Sequence, residues 1–267
     1  MQLSMTRSLL IALALTATGL VAAQAEDSEQ KAPCASAKAQ PCGKLLKGIV
    51  HLNDNDIRFS SKGGGIVLVD PTSGPEEAKA VAPWLVKPDL ILITHPHADH
   101  FQPAILLEYI KANPQVVLAG PAEVAELAKA KGIESMQVVV PNQTYTLAGF
   151  ELSTVPAYFE NKSWKHPQAG QWVGYVLSLN GARYYITGDT QPLPEMAVTK
   201  ADVVFPLLSG CGGNMAQALE MAKLSGAKLV VPVHHSGQAE TIKKFIAGLP
   251  EGVRSGYFLK GALQPSS

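Results

Sequence analysis

Three of the seven histidines fall in one six-residue run, His95-Pro96-His97-Ala98-Asp99-His100. Imidazole and carboxylate are preferred ligands of zinc and similar divalent ions. Alternate residues of an extended segment share a face, so His95 and His97 can point at one ion. Asp99 and His100 lie just past them, where the chain turns, and can face a second ion. The competing reading is a solvated, His-rich loop. Two more candidates occupy similar places: Gly188-Asp189-Thr190 after the apolar run ARYYIT, and Pro232-Val233-His234 after AKLVV. GDT alone reads as a turn more readily than as a ligand, and its weight comes from the histidine run. Neither a GxSxG elbow nor a GxxxxGK[ST] phosphate loop occurs, so nothing points to serine catalysis or a nucleotide-binding loop.

Each candidate follows a short apolar segment, and the segments predict the scaffold. From Leu45 the pattern is β: GIVHL, DIRFS and GGGIVLVDP, with turn chemistry at Asn53-Asp54 and Gly63–Gly65. Gly74-Pro75-Glu76-Glu77 starts a helix expected to run through AKAVAPWL. PDLILIT reads as a strand buried on both faces. PAILLEYIKAN reads as a helix, QVVLAG as a strand and PAEVAELAKAKG as a helix. QVVV, QTYTLAG and FELSTVPA suggest hairpins. Asn180-Gly181 joins two further strands in a type I′ turn. ADVVFPLL, AKLVVPVHH and VRSGYFLK read as strands, with helices at MAQALEMAKLSG and AETIKKFIAGL. Strands come first and then alternate with helices, which suggests an α/β protein with sheets between helical layers. Ligands in such folds gather at the carboxyl ends of strands, so the three candidate segments converge on one crevice.

Apolar residues make up 46% of the 267-residue chain and charged residues 16%, enough for a full core. Lys+Arg and Asp+Glu are both 22, which argues against bulk binding to nucleic acid or anionic membrane. Residues 1–25 read as a signal peptide. Arg7 is followed by the apolar run SLLIALALTATGLVA and then Ala23-Gln24-Ala25, a cleavage pattern. The expected product is periplasmic or secreted, cleaved near Ala25, without a stable membrane anchor. Residues 26–44 read as a loose N-terminal arm, and export favours a local Cys34–Cys42 disulfide over two free thiols. Residues 45–263 read as one domain with no internal linker.

The motifs together resemble the metallo-β-lactamase superfamily. The stretches that carry the resemblance are VLVDP (67–71), ITHPHADHF (93–101), VPAY (155–158), WVGYVL (172–177), ITGDTQPLPEM (186–196), ADVVFPL (201–207) and VVPVHH (230–235). Within that superfamily the chain is similar to the hydrolases grouped with ascorbate-phosphate lactonases and N-acyl-phosphatidylethanolamine phospholipase D. The resemblance implies a four-layer αββα sandwich and two divalent ions, zinc foremost, with manganese or iron as alternatives. Carried over, His95 and His97 hold the first ion. Asp99, His100 and His234 hold the second, and Asp189 bridges both. A third histidine is expected on the first ion, and His166 alone lies in the right interval. Phe159, however, stands where phospholipase-like relatives place that histidine, and the alternative for His166 is an exposed loop residue. Asp70 is expected to orient a ligating imidazole. His235 should point away from His234, His51 reads as core or surface, and Cys211 reads as a packing thiol.

The resemblance implies a metal-activated water that attacks a carbonyl or phosphoryl centre, with Asp99 orienting it and accepting a proton. The substrate class is a small ester, lactone or phosphodiester, with an amide also conceivable. The loop 157–171, with Tyr158, Phe159, Lys162, Trp164 and Lys165, is expected to line the pocket. Two other readings stay open: a metal-dependent oxidoreductase on the same fold, and a non-catalytic metal-binding protein. A zinc β-lactamase is also compatible with export, although the cysteine of its main subclass is missing from the GDT pattern. A homo-oligomer is neither required nor excluded.

Overall fold

The structure, a computed structural model, describes residues 42–162, 164–235, 238–259 and 262–265. The expected signal peptide and the Cys34–Cys42 pairing lie outside the described residues. No helix among those described is long and apolar enough to cross a membrane.

Two sheets form the centre. The first has the order β1 (Ile49–His51), β2 (Ile57–Ser60), β3 (Ile66–Val69), β4 (Leu90–Leu92), β5 (Val117–Gly120) and β6 (Gln137–Val138). The second runs from β7 (Thr144–Leu147) through β8 (Phe150–Pro156), β9 (Val173–Leu179), β10 (Ala182–Ile186), β11 (Val203–Phe205), β12 (Leu229–Val230) and β13 (Arg254–Leu259) to β14 (Ala262–Pro265). Each begins as an antiparallel meander and continues as parallel strands: β3–β4–β5–β6 in the first, β10–β11–β12–β13 in the second. Among the described residues the α-helices are α1 (Cys42–Leu45), α2 (Pro75–Val81), α3 (Pro103–Ala112), α4 (Ala122–Lys129), α5 (Met215–Ser225) and α6 (Ala239–Ala247).

Strand alternation builds the layers. Val67, Val69, Leu90 and Leu92 pack with Val173, Tyr175, Val203 and Phe205 into the core between the sheets. Their neighbours Leu68, Ile91 and Ile93 face the other way, onto Leu106 and Tyr109 of α3 and Val124 and Ala128 of α4. On the second sheet Val176, Tyr185, Val204 and Val230 pack outward on Met221 of α5 and Ile242 and Phe245 of α6. Successive side chains on a strand point to opposite faces, so strands buried on both sides read as continuous apolar runs. The result is an α/β fold with two sheets flanked by helices.

Three local expectations need correction. Cys42–Leu45, expected as the end of a loose arm at residue 44 and the start of the β pattern at Leu45, is a turn of helix. The helix begun at Pro75 stops at Val81, and Pro83–Val86 is a separate 3-10 turn. Ala82, which precedes Pro83, is extended at φ −154°. Proline clashes with a helical residue before it and offers no N–H, so the helix cannot pass this point. The strand β14 was not foreseen and ends at Pro265, past the expected domain end at 263. The Asn180-Gly181 turn has both residues at positive φ, 56° and 83°, as a type I′ turn requires.

Candidate metal centre

The loops after β4, β10, β11 and β12 meet at one place, joined by the β8–β9 loop. They gather three overlapping groups of donor atoms. His95, His97, His166 and Asp189 offer atoms that all lie within 4.8 Å of one another. So do those of His100, Asp189 and His234, and those of Asp99, Cys211 and His234. Asp189 belongs to the first two of these groups, and its carboxylate lies 3.9 Å from His95 Nε2 and 3.2 Å from His100 Nε2.

Each loop is held by its own hydrogen bonds. Asp70, at φ 48°, accepts from the Thr94 N–H at 2.8 Å and the Thr94 hydroxyl at 2.7 Å. Its Oδ2 also takes His100 Nδ1 at 2.8 Å. A carboxylate on one ring nitrogen fixes the tautomer and leaves the other as donor to an ion, so His100 presents Nε2. His95 and His97 lie side by side, with Nε2 of the first 3.0 Å from Nδ1 of the second. In the GDT loop, Thr187 Oγ1 donates to the Phe205 carbonyl at 3.1 Å and accepts from Leu207 N–H at 3.3 Å. His234 sits at φ 56°, held by its N–H on the Asp54 carbonyl at 2.8 Å and by the Ser209 hydroxyl on its own carbonyl at 2.6 Å. That backbone reversal swings it out of the alternation of Val231 and Val233. His235 keeps to the inside and its ring meets His51 edge-on at 5.8 Å.

His166 is fully buried, which excludes the exposed-loop alternative. Its ring packs among His95, His97, Trp172 and Phe159, with centroids 4.6–5.4 Å away. Phe159, at the position where a histidine was sought, is the wall behind it, and its N–H donates to the His166 carbonyl at 3.1 Å. The loop is tied to the GDT segment: Thr190 Oγ1 accepts from Tyr158 N–H at 3.1 Å, and Gln191 N–H donates to the Tyr158 carbonyl at 3.1 Å. Tyr158 and Phe159 are buried in the layer against α5 and α6, and the Phe159 ring also meets His166 at 5.2 Å. Trp164 is 81% exposed, Lys165 is half-buried with its Nζ 3.5 Å from Cys211 Sγ, and the Lys162 side chain lies outside what is described.

One residue escaped sequence reasoning. Asn55 is buried and its amide nitrogen lies 2.9 Å from His100 Nε2 and 3.3 Å from the Asp99 carbonyl. Its turn is anchored by Asp56, whose carboxylate takes the buried Arg58 guanidinium in two bonds of 2.7 Å and the N–H groups of Thr72 and Ser73. The signal available was the polar run Asn53-Asp54-Asn55-Asp56 between two strands. Cys211, expected to pack at a strand end on the side of the site, has its sulfur within 4.8 Å of donor atoms of Asp99 and His234.

The electrostatics divide the site. Burial depresses the pKa of His95 and His97 and holds His166 down at about 4, despite Asp189 nearby. These imidazoles are neutral, the state that ligates. Burial acts the same way on His100, but the Asp189 and Asp70 carboxylates more than reverse it and leave its pKa well raised. His234 is likewise lifted, against burial, to about 10 by Asp99 and Cys211. Asp99 is lowered chiefly by His234. Burial raises Asp189, and His100 and His95 overturn that and hold it well below the usual range.

The residues fit bound cations. Both ring nitrogens of His166 and both oxygens of Asp189 are buried without a hydrogen-bond partner. Such groups cost about 1–3 kcal/mol each when nothing binds them. Groups that share the Asp189 carboxylate offer imidazole nitrogens and carboxylate oxygens, the donor types that zinc and similar divalent ions take.

Residues 66–235 match the Beta-lactamase superfamily domain. A UPF0173 metal-dependent hydrolase of Thermus thermophilus is 30% identical over 176 residues, 64% of this chain and 75% of that one. Another, of Thermoplasma acidophilum, is 28% identical over 67% of this chain and 79% of its own length. Among solved structures, the metallo hydrolase Igni18 of Ignicoccus hospitalis superposes with a TM-score of 0.64 at 19% identity, covering 81% of this chain and 96% of that one. The metallo-beta-lactamase fold protein YhfI of Bacillus subtilis gives 0.60 at 17% identity over 79% and 91%. These two likenesses concern the fold.

Proposed function

Since the chain belongs to the β-lactamase superfamily, we propose that it is a metal-dependent hydrolase with two divalent ions, acting on a small ester, lactone or phosphodiester after export from the cytoplasm. His95, His97 and His166 would hold one ion, and Asp99, His100 and His234 the other, with Asp189 between them. Bound there, the ions would supply an acidified water and a positive clamp on the substrate's carbonyl or phosphoryl oxygen. The observation that carries this reading is Asp189: a buried carboxylate with no hydrogen-bond partner, common to both donor groups.

The chain's own groups have distinct tasks. Asp99 is the one carboxylate of the site with an open side, its side chain 48% exposed. It can hold a water against the substrate and move a proton from that water, through Oδ2, toward the departing oxygen. His234 bonds the same Oδ2 at 3.0 Å and keeps Asp99 ionised. Trp172 and Phe159 wall the His166 side and keep water out, and Trp172 is pinned by its indole N–H on Glu123 at 2.9 Å. Zinc is the expected ion for an imidazole-rich site.

The test is a turnover screen with p-nitrophenyl phosphodiesters, lactones and a cephalosporin, each with and without a chelator. Hydrolysis of one class that the chelator abolishes, that zinc restores, and that Asp99→Asn depresses about 10²–10⁴-fold supports the reading. Chelator-insensitive hydrolysis overturns it.

A further inference from the structure

The turn after β11 carries a sulfur that lies outside the His95–His100 run, the GDT segment and the segment ending at His234. In Leu207–Asn214, the chain reverses through Gly210, Cys211 and Gly212, all at positive φ: 81°, 44° and 121°. Gly213 N–H donates to the Gly210 carbonyl at 2.7 Å and closes the turn. Cysteine is an unusual occupant of the left-handed region, which costs a residue with a side chain about 1–3 kcal/mol. The turn lies directly on His234. A Cβ at Gly210 would come within 2.5 Å of His234 Cε1, so only glycine lets the loop approach this ring. The approach sets Cys211 Sγ within 4.8 Å of donor atoms of both Asp99 and His234. Independently, the buried Asp189 carboxylate, neither oxygen of which is in a hydrogen bond, reaches the same ring: its Oδ2 lies 4.0 Å from His234 Nε2, while its Oδ1 lies 3.2 Å from His100 Nε2.

We infer that Cys211 is itself a ligand of the second ion, which makes that half of the site a thiolate site. The inference rests on the two-ion reading above and adds to it. Zinc–sulfur and zinc–nitrogen bonds are about 2.3 and 2.0–2.1 Å, so closing the Asp99–Cys211–His234 group on an ion needs only small side-chain movements. On binding, the Cys211 S–H bond breaks, a sulfur–metal bond forms, and the proton passes to solvent. Lys165 Nζ, 3.5 Å from the sulfur, places a positive charge beside a group that would otherwise gather two carboxylates and a thiolate. Its neighbour His166 serves the other donor group, so one loop braces both. A thiolate also changes which metal is kept. Soft sulfur favours zinc and cadmium over manganese and magnesium, whereas an all-oxygen and imidazole set does not discriminate in this way.

The experiment uses full-length protein loaded with cobalt(II), and zinc-loaded and metal-free protein treated with iodoacetamide, with alkylation read at each cysteine by peptide mass spectrometry. The expected results are a thiolate-to-cobalt charge-transfer band in the near ultraviolet, lost in Cys211→Ala, and protection of Cys211 from alkylation by zinc. Cys211→Ala should weaken the second equivalent of zinc at least about tenfold, the scale seen when even supporting groups of a metal site are lost, and leave the first in place. Two ions bound with no such band, and Cys211 alkylated equally with and without zinc, overturn the inference while leaving the two-ion reading intact. A protein that takes up no metal overturns both. The alkylation arm needs no variant, so poor folding of Cys211→Ala does not blunt the test.

Discussion

Replacing His166 by leucine should move metal affinity and metal-free stability in opposite directions. The His166 ring is fully buried, walled by Phe159 and Trp172, and neither ring nitrogen has a hydrogen-bond partner. Without an ion, that imidazole is a desolvated polar group that costs about 1–3 kcal/mol. Leucine has nearly the same volume and no polar atom, so it leaves no cavity and removes the penalty. The metal-free variant should therefore be more stable by about 1–3 kcal/mol, a rise of roughly 2–4 °C in Tm per kcal/mol for a chain of this size. The first donor group meanwhile falls from four residues to three. Its affinity for zinc should drop at least about ten- to hundredfold, or roughly 1.4–2.8 kcal/mol. Thermal melts in chelator read the first effect, and competition against a chromogenic chelator reads the second. Trp164→Ala, at an exposed position on the same loop, controls for disturbance of the loop. A His166→Leu protein with lower metal-free stability and unchanged zinc affinity would show that the imidazole is a packing element, and the argument would fail.

Asp56→Asn should destabilise the protein by about 3–5 kcal/mol in urea melts, since it leaves the buried Arg58 charge without its carboxylate; a loss under about 1 kcal/mol would contradict that role. Acid should weaken the metal-free protein in a defined window. His166 and His235 are held at about 4 in the fold against about 6.5 when unfolded, so the unfolded chain binds the extra protons between those values. Their contribution is full above about pH 6.5, falls as the pH drops toward 4, and reaches at most about 3 kcal/mol for each group; equal stability at pH 7 and pH 4.5 would count against it. Mass spectrometry of protein from the periplasm or medium should find an N-terminus near Glu26 and a Cys34–Cys42 linkage, whereas intact Met1 in the soluble fraction would exclude cleavage.

The strand pattern was legible because both sheets are covered on both faces. Val67–Val69, Leu90–Leu92 and Val203–Phe205 alternate between two apolar layers and read as unbroken runs. The grouping of His95, His97, Asp99 and His100 was legible for a similar reason, as four donors lie within one turn after a strand. His166 was reached only by elimination. It sits on a loop with no periodicity, and its burial depends on Trp172 and on ties between Tyr158 and Thr190, which lie far apart in sequence. The position of the Cys211 sulfur beside Asp99 and His234 depends on three consecutive positive-φ residues and on a close approach to His234, neither of which leaves a hydropathy signature. Asn55 was missed because its partner His100 is 45 residues away. In each case a long-range contact, not local propensity, decides the side chain's role.

The central claim is that two ions share Asp189, and equilibrium dialysis of metal-free protein against zinc, followed by elemental analysis, tests it most directly. The account predicts two zinc ions per chain, with Asp189→Asn losing tight binding of both together, because its carboxylate serves both donor groups. A wild-type protein that binds no zinc, or an Asp189→Asn protein that keeps both ions, would contradict it.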